Sequence, residues 1–163
     1  MSSIAGNMAV LMGSYYLAKC NDGKGMQLGT VLGLRYGKVV VIGDGTVGRH
    51  AARTADGMGA NVCIVERHTE RVSELETAVS RDIRFVLSKP ENISRHLEDA
   101  DLVIGAVLLR GAIPYIVTEE MVKRMQPGAV VVDVSIDQGG CVETSRPTSH
   151  SHPVFEKHGV IAW

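Results

Sequence analysis

A run of β-branched residues in this chain ends abruptly in three glycines spaced G-x-G-x-x-G. The run and the glycines together read VVVIGDGTVG (39–48). Gly43 permits a tight turn out of a buried strand, Gly45 lets a ligand approach the backbone because it has no Cβ, and Gly48 lets the next helix pack closely. The free N–H groups at the start of that helix favour bound phosphates. The pattern therefore predicts a strand, turn and helix over 38–58 that bind the pyrophosphate of a dinucleotide.

An acidic residue follows at the position that such a site requires. Glu66 ends the next predicted strand, NVCIVE (61–66). A carboxylate there accepts hydrogen bonds from both hydroxyls of the adenine ribose and repels a 2′-phosphate, which favours NAD over NADP. Arg67 and His68 follow directly and could instead hold that phosphate, so the alternative stays open. Asp44, inside the glycine turn, places an unfavourable charge near a pyrophosphate.

The rest of the chain alternates between continuous apolar runs and helical patterns. A mostly parallel sheet that is covered on both faces is typical of such alternation. We therefore expect a doubly wound α/β (Rossmann) fold of about six strands, in the order 3-2-1-4-5-6. The predicted strands are 38–43, 61–66, 83–87, 101–107, 129–134 and 159–163, and the helices are 45–58, 70–79, 91–98 and 118–125, with a loop of about 15 residues before the last strand.

The N-terminal region carries an additional predicted helix. Ile4, Met8, Leu11 and Tyr15 recur at helical spacing. The glycine-rich residues 21–37 are interpreted as a loop. We expect a single domain over 1–163, with the helix and loop in 1–30 and the sheet with its helices in 38–163.

Composition excludes several classes of function. A net charge of −1 and only 4% aromatic residues argue against a nucleic-acid surface. No apolar run approaches the roughly 20 residues that a membrane helix needs, and no secretory signal is visible. The three cysteines are far apart and odd in number, which is typical of reduced thiols in a cytoplasmic protein.

Three segments carry a resemblance to a known family. They are MSSIAGNMA (1–9), ADLVIGAVLLRGA (100–112) and VVVDVSIDQGGCVETSRPTSHSHPVF (130–155). Together they resemble the NAD-binding domain of the alanine dehydrogenase and proton-translocating transhydrogenase superfamily. The run IDQGGCVETSRPT within the third segment is similar to alanine dehydrogenases in particular.

The resemblance implies an oxidoreductase that deaminates L-alanine to pyruvate and ammonium with NAD. It implies a catalytic role for Asp137 near the reacting centre, and places Glu66 where the family has a ribose-binding Asp. It also implies that the chain lacks the family's substrate domain, which would complete it in cis or in trans, and that the protein is a homo-oligomer. The further cofactor-binding residues that it implies are Ser2 against the cofactor, Thr46 and Val47 beside the pyrophosphate, Arg71 beside the adenosine, Ser88 near the adenine, and Val107 and Leu108 on the nicotinamide side.

Other candidate chemistry is weaker. His150, His152 and Cys141 lack the paired spacing of a metal site, so a solvated loop is the favoured interpretation and no metal is expected. Arg146 is interpreted as a structural loop residue rather than a substrate clamp. Two functions stay open: the NAD-binding half of an alanine dehydrogenase that is inactive alone, and a stand-alone dinucleotide-binding module or subunit of a split transhydrogenase-like protein.

Overall fold

The computed structural model describes residues 1–68, 82–107 and 115–163, so the predicted helix at 70–79 lies outside the described residues. The helices are α1 (Ser2–Tyr16), α2 (Thr46–Met58), α3 (Pro90–Leu97) and α4 (Glu119–Lys123), with 3-10 turns at Lys19–Asn21 and Ile136–Gln138. The strands are β1 (Gly29–Val31), β2 (Leu34–Tyr36), β3 (Lys38–Ile42), β4 (Asn61–Glu66), β5 (Arg84–Leu87), β6 (Leu102–Gly105), β7 (Val130–Asp133), β8 (Phe155–Lys157) and β9 (Val160–Ala162).

A seven-stranded sheet organises the fold, in the order β5-β4-β3-β6-β7-β9-β8. All neighbouring strands in it run parallel except β8, which pairs antiparallel with β9 at the edge. The predicted α/β class with a mostly parallel sheet is therefore confirmed. The sheet has one strand more than the predicted six, because β8 adds an antiparallel strand at one edge.

Strand β3 shows why the apolar runs are continuous. Side chains alternate between the faces of a strand, and both faces of β3 are buried. Val39 and Val41 join a core with α1 and α2. Val40 and Ile42 join a second core with α3 and α4. A strand covered on both sides leaves no position for a polar residue, so the pattern of the run has no alternation.

Two predicted loops contain regular structure. Residues 21–37 hold an antiparallel hairpin of β1 and β2, joined by Leu32 and Gly33. The predicted loop before the last strand holds a 3-10 turn and the edge strand β8. Both loop predictions are wrong because these strands are three residues long and mostly exposed, so they carry no apolar pattern.

Helix α1 packs through its small residues. A Cβ atom on Gly6 would lie 2.3 Å from the carbonyl oxygen of Val47, and one on Gly13 would lie 2.4 Å from Cδ1 of Leu102. The glycines thus allow α1 to lie directly against α2 and the sheet. The apolar residues that predicted this helix face outward instead, with exposed fractions of 66% at Ile4, 43% at Met8, 50% at Leu11 and 57% at Tyr15.

No helix within the described ranges is both long and apolar enough to span a bilayer.

Candidate dinucleotide-binding site

The sheet order reverses at β3, which has β4 on one side and β6 on the other. At such a point the loops that follow the two central strands diverge, and a crevice opens at the carboxyl ends of the strands. The chain leaves β3 through Gly43, whose φ of 106° suits glycine. Its N–H donates to the carbonyl of Val65 at 3.0 Å. Gly43 therefore bends the chain out of the sheet at the rim of this crevice.

The other two glycines of the turn have different surroundings. Gly45 is the N-cap of α2, and no atom lies within 4 Å of a Cβ built on it. A Cβ on Gly48 would lie 1.9 Å from the carbonyl oxygen of Gly43. Gly45 thus leaves open space at the helix start, where Thr46 and Val47 form the first turn, whereas Gly48 brings the helix onto the turn. Because the first turn of α2 carries no acidic side chain, its free N–H groups can receive an anion.

Glu66 ends β4 at the same edge of the sheet and is only 3% exposed. Its Oε1 accepts a hydrogen bond from the backbone N–H of His68. Its Oε2 is buried and accepts no hydrogen bond from an N–H or hydroxyl group of the described residues, and its carboxyl neighbour is Asp44. A buried carboxylate oxygen without a donor is costly. The two hydroxyls of a ribose are the kind of donor that would satisfy it.

The charge of Glu66 is influenced by its neighbours. Burial raises the pKa of this carboxyl, and the hydrogen-bonding, like-charged carboxyl of Asp44 raises it further. The N–H of His68 and the charge of its ring act in the opposite direction. The pKa of Glu66 therefore lies above the usual range of a glutamate, and the site binds a proton more readily than an exposed carboxylate does.

A cavity of about 180 Å³ lies beside Glu66 and Ser88, where the adenosine of a dinucleotide is predicted to bind. Its lining includes four predicted residues, Gly43, Glu66, Ser88 and Val107. The N–H of Ser88 donates to the carbonyl of Glu66 at 2.7 Å, which holds the ends of β4 and β5 together.

A second cavity, of about 520 Å³, lies on the other side of the glycine turn. Ser2, Val47 and Asp137 line it, together with Ala106 and Ser135. The structure therefore brings Ser2 and Asp137, which are far apart in sequence, to one cleft beside the start of α2. The predicted residues Arg71 and Leu108 lie outside the described residues.

Sequence analysis missed Asp133 and Ser135 in this region. Asp133 ends β7, is 3% exposed, and accepts hydrogen bonds from the N–H and hydroxyl of Ser135 at 3.2 and 2.8 Å. The one signal in the sequence is an acidic residue at the end of the apolar run AVVVD (129–133). That signal does not identify the hydrogen-bond donors to Asp133, because the donors other than Ser135 lie eight and nine residues further along the chain.

Two of the weaker candidates, Arg146 and His152, line a different cavity in the C-terminal loop, of about 340 Å³. The guanidinium carbon of Arg146 lies 4.3 Å from the ring centroid of Phe155, which is a structural contact. Within residues 1–68, 82–107 and 115–163, no group of three or more His, Cys, Asp or Glu side chains could hold a metal ion.

Comparison with known proteins places this chain in a family. The model of the family described as "Alanine dehydrogenase/PNT, C-terminal domain" matches residues 9–163. An alanine dehydrogenase of Bacillus subtilis is 48% identical over an alignment of 163 positions, which covers 99% of this chain and 43% of that protein. The chain thus spans less than half the length of this relative.

Solved structures agree with the sequence matches. A structure titled L-alanine dehydrogenase has a TM-score of 0.94 and 44% identity, and the match covers 100% of this chain and 45% of that one. The transhydrogenase from Sinorhizobium meliloti has a TM-score of 0.78 and 27% identity, and covers 99% of this chain and 46% of that one. The chain therefore belongs to the alanine dehydrogenase/PNT C-terminal domain family, whose fold is a dinucleotide-binding one.

Proposed function

We propose that this chain is the NAD-binding half of an L-alanine dehydrogenase, which oxidises L-alanine to pyruvate and ammonium. The identity of 48% to an alanine dehydrogenase supports the family's reaction. The single observation that carries the proposal is the arrangement of one sheet edge. The open helix start at Gly45, the buried acceptor of Glu66 and the cleft with Asp137 all lie there.

The glycine turn and Glu66 suit the pyrophosphate and ribose of a dinucleotide. The turn of Gly43, Gly45 and Gly48 with the first turn of α2, Thr46 and Val47, would hold the pyrophosphate. Glu66 would bind the adenine ribose. On sequence resemblance, Arg71 and Ser88 would line the adenosine side, Val107 and Leu108 would line the nicotinamide side, and Ser2 would touch the cofactor.

We propose NAD rather than NADP as the cofactor. A 2′-phosphate would meet the buried carboxyl of Glu66 and the carboxyl of Asp44 beside it. Like charges at such close range disfavour binding. The alternative partners of a 2′-phosphate remain Arg67 and His68. The backbone N–H of His68 already donates to Glu66, so this segment holds the acid in place.

For catalysis we propose a role for Asp137. Its exposed side chain stands in the second cleft, close enough to Ser2 to line the same cavity. The bound NAD would supply a hydride acceptor. Asp137 would hold a proton or orient the amino acid at that face. A cation for the substrate carboxylate and a base for its amine are expected from a substrate domain, in cis or in trans.

We further propose a cytoplasmic homo-oligomer. Helix α1 contains no charged residue, yet presents Ile4, Met8, Leu11 and Tyr15 to solvent. Such an apolar stripe is typical of a surface that another protein covers. The free cysteines at 20, 63 and 141 favour a reducing compartment.

The experiment is an exchange chimaera, in which this chain replaces the matching 43% of the Bacillus subtilis alanine dehydrogenase. Saturating L-alanine and NAD are supplied at alkaline pH, and NADH is followed by absorbance. We expect turnover of roughly 1–1000 per second from the chimaera, the ordinary range for enzymes. The 163-residue chain alone is expected to bind NAD without turning over.

Substitution of Asp137 tests the assigned role. Asp137→Ala in the chimaera should remove most of the rate and leave the dissociation constant of NAD unchanged. The control is Asp99→Ala, because Asp99 is an exposed acid that pairs with Lys38 at the amino ends of the strands, far from Asp137. Equal loss in both variants would contradict the assignment.

A second candidate function is a dinucleotide-binding subunit of a split transhydrogenase-like protein. The TM-score of 0.78 to a transhydrogenase favours it. NAD binding by a chimaera that produces no NADH from alanine would contradict the first proposal and favour this one.

A further inference from the structure

The carboxylate of Asp133 is enclosed by donors from the segment that carries Asp137. Oδ1 accepts from the N–H and hydroxyl of Ser135 at 3.2 and 2.8 Å. Oδ2 accepts from the N–H groups of Cys141 and Val142 at 2.9 and 3.0 Å. These bonds, with a longer one from Sγ of Cys141 to Oδ1 at 3.8 Å, tie both ends of the segment 135–142 to the last residue of β7.

The neighbouring glycines make room for this carboxylate. A Cβ on Gly105 would lie 3.0 Å from Oδ1 of Asp133 and 2.6 Å from Sγ of Cys141. A Cβ on Gly140, whose φ is 70°, would lie 2.7 Å from Oδ2. Two different elements therefore lack a side chain where the Asp133 carboxylate lies.

The segment between the tied ends contains the predicted catalytic residue. A 3-10 turn covers Ile136–Gln138, and Gly139 ends it with a φ of 101°. The N–H groups of Gln138 and Gly140 both donate to the carbonyl of Ser135, at 2.9 and 3.0 Å. Asp137 thus stands on a short turn whose base, Ser135, is itself bonded to Asp133.

The residues at the far end of the segment are also fixed in the fold. The carbonyl of Cys141 accepts from the N–H groups of Ile116 and Val117, at 3.0 and 3.1 Å. Cys141 and Val142 are at most 1% exposed. Burial and the nearby charge of Asp133 raise the pKa of the Cys141 thiol to about 12, so this thiol stays neutral beside the acid.

We propose that Asp133 is a positioning residue, whose hydrogen bonds from Ser135, Cys141 and Val142 hold the segment 135–142 so that Asp137 stays in the cleft beside Ser2. The proposal rests on the proposed function for the role of Asp137. Misplacement of a reacting group by about 1 Å can cost about 100-fold in rate. A short turn that has lost the bonds at its base cannot hold its side chain that closely.

The test uses Asp133→Asn and Asp133→Ala in the exchange chimaera, with Asp101→Asn as the matched control. Asp101 is also a buried acid, 4% exposed, and accepts from the N–H of Lys38 at 2.7 Å. It lies at the opposite end of the strands, where it pairs with Lys24. The control therefore removes a comparable buried carboxylate far from Asp137.

We expect kcat for alanine oxidation to fall by about 10- to 100-fold in Asp133→Asn and further in Asp133→Ala, with the dissociation constant of NAD unchanged. Asn should retain more rate because its carbonyl oxygen still accepts the bonds on one side. Ser135→Ala is a milder variant that keeps the carboxylate, and it should give a smaller fall. Asp101→Asn should lower thermal stability and leave kcat unchanged.

A second readout needs no turnover. In the isolated 163-residue chain, Asp133→Asn should speed up hydrogen exchange at the amides of Gln138 and Gly140. These amides donate to Ser135 and not to Asp133. The amides of β3 should stay protected. An unchanged exchange rate, or the same fall in kcat for Asp101→Asn, would overturn the proposal. If the parent chimaera makes no NADH from alanine, the proposed function fails, whereas exchange still decides whether Asp133 holds the segment.

Discussion

A Cβ atom on Gly48 would lie 1.9 Å from the carbonyl oxygen of Gly43, which leaves no room for any side chain between α2 and the turn. We therefore expect Gly48→Ala to destabilise the fold by roughly 1–3 kcal/mol or more, because a methyl group there must displace backbone. Urea denaturation measures the effect. The control is Gly57→Ala in the same helix, which has open space around its Cβ and should stabilise by about 0.5–1 kcal/mol. Equal effects at the two positions would contradict the close approach.

Gly45→Val tests the ligand face of the same turn. No atom lies within 4 Å of a Cβ at this position, so the variant should keep the midpoint of thermal unfolding. A branched side chain would occupy the space that a pyrophosphate needs, so NAD binding should be lost in titration calorimetry. Binding that persists within a few-fold would mean that the pyrophosphate does not lie at this helix start.

Short sequence patterns predicted the features whose geometry depends only on neighbouring residues along the chain. The turn of Gly43 and the acid at Glu66 each belong to one strand and the residues beside it, so a short stretch of sequence contains the whole signal. The hairpin of β1 and β2 has no such signal. A two-residue hairpin loop usually carries Asn-Gly or Asp-Gly, whereas this one has Leu32 at a φ of 50° before Gly33.

The orientation of helix α1 and the role of Asp133 depend on contacts between residues that are far apart in the sequence. The apolar spacing of Ile4 and Met8 predicted helix α1, yet the face that packs inward is the one with Gly6 and Gly13. Hydrophobicity alone does not reveal that two helices approach through glycines. The role of Asp133 depends on N–H groups at positions 141 and 142, and no rule of sequence spacing pairs a strand end with them.

Glu66→Ala tests the choice of cofactor. Loss of the charge-assisted bonds to both ribose hydroxyls should cost about 1.5–3 kcal/mol of NAD affinity. The parent chain should bind NAD more tightly than NADP, and the variant should lose most of that preference. Calorimetric titration with both cofactors measures this, and Arg67→Ala is the control. Tighter binding of NADP by the parent chain would mean that Arg67 and His68 dominate.

The exposure of the cysteines predicts a pattern of thiol labelling. Cys20 is exposed, whereas Cys63 and Cys141 are buried. Burial raises the pKa of Cys63 to about 11 and contributes to the value of about 12 at Cys141. Because the thiolate is the reactive form, a disulfide reagent near neutral pH should modify Cys20 quickly and the other two only on unfolding. Mass spectrometry of labelled peptides checks it, and rapid labelling of Cys141 in the folded chain would contradict its burial.

Asp44 and Glu66 should together make NAD binding depend on pH. Burial and the carboxyl of Asp44 raise the pKa of Glu66, and His68 opposes them only in part. A raised pKa means that the folded chain binds this proton more tightly than the unfolded chain. The contribution of Glu66 to stability is thus fully present below the ordinary pKa and is lost as pH rises through the folded value.

NAD binding should have the opposite dependence, because the ribose hydroxyls donate to the ionised carboxylate. The dissociation constant should therefore rise as pH falls through the raised pKa. Asp44→Asn removes the like charge, so it should lower that pKa and extend tight binding to lower pH. Titrations from the ordinary pKa of a glutamate, about 4.3, upward at constant ionic strength measure the midpoint, with Asp99→Asn as the control. A midpoint that Asp44→Asn leaves in place would show that Asp44 does not govern the proton on Glu66.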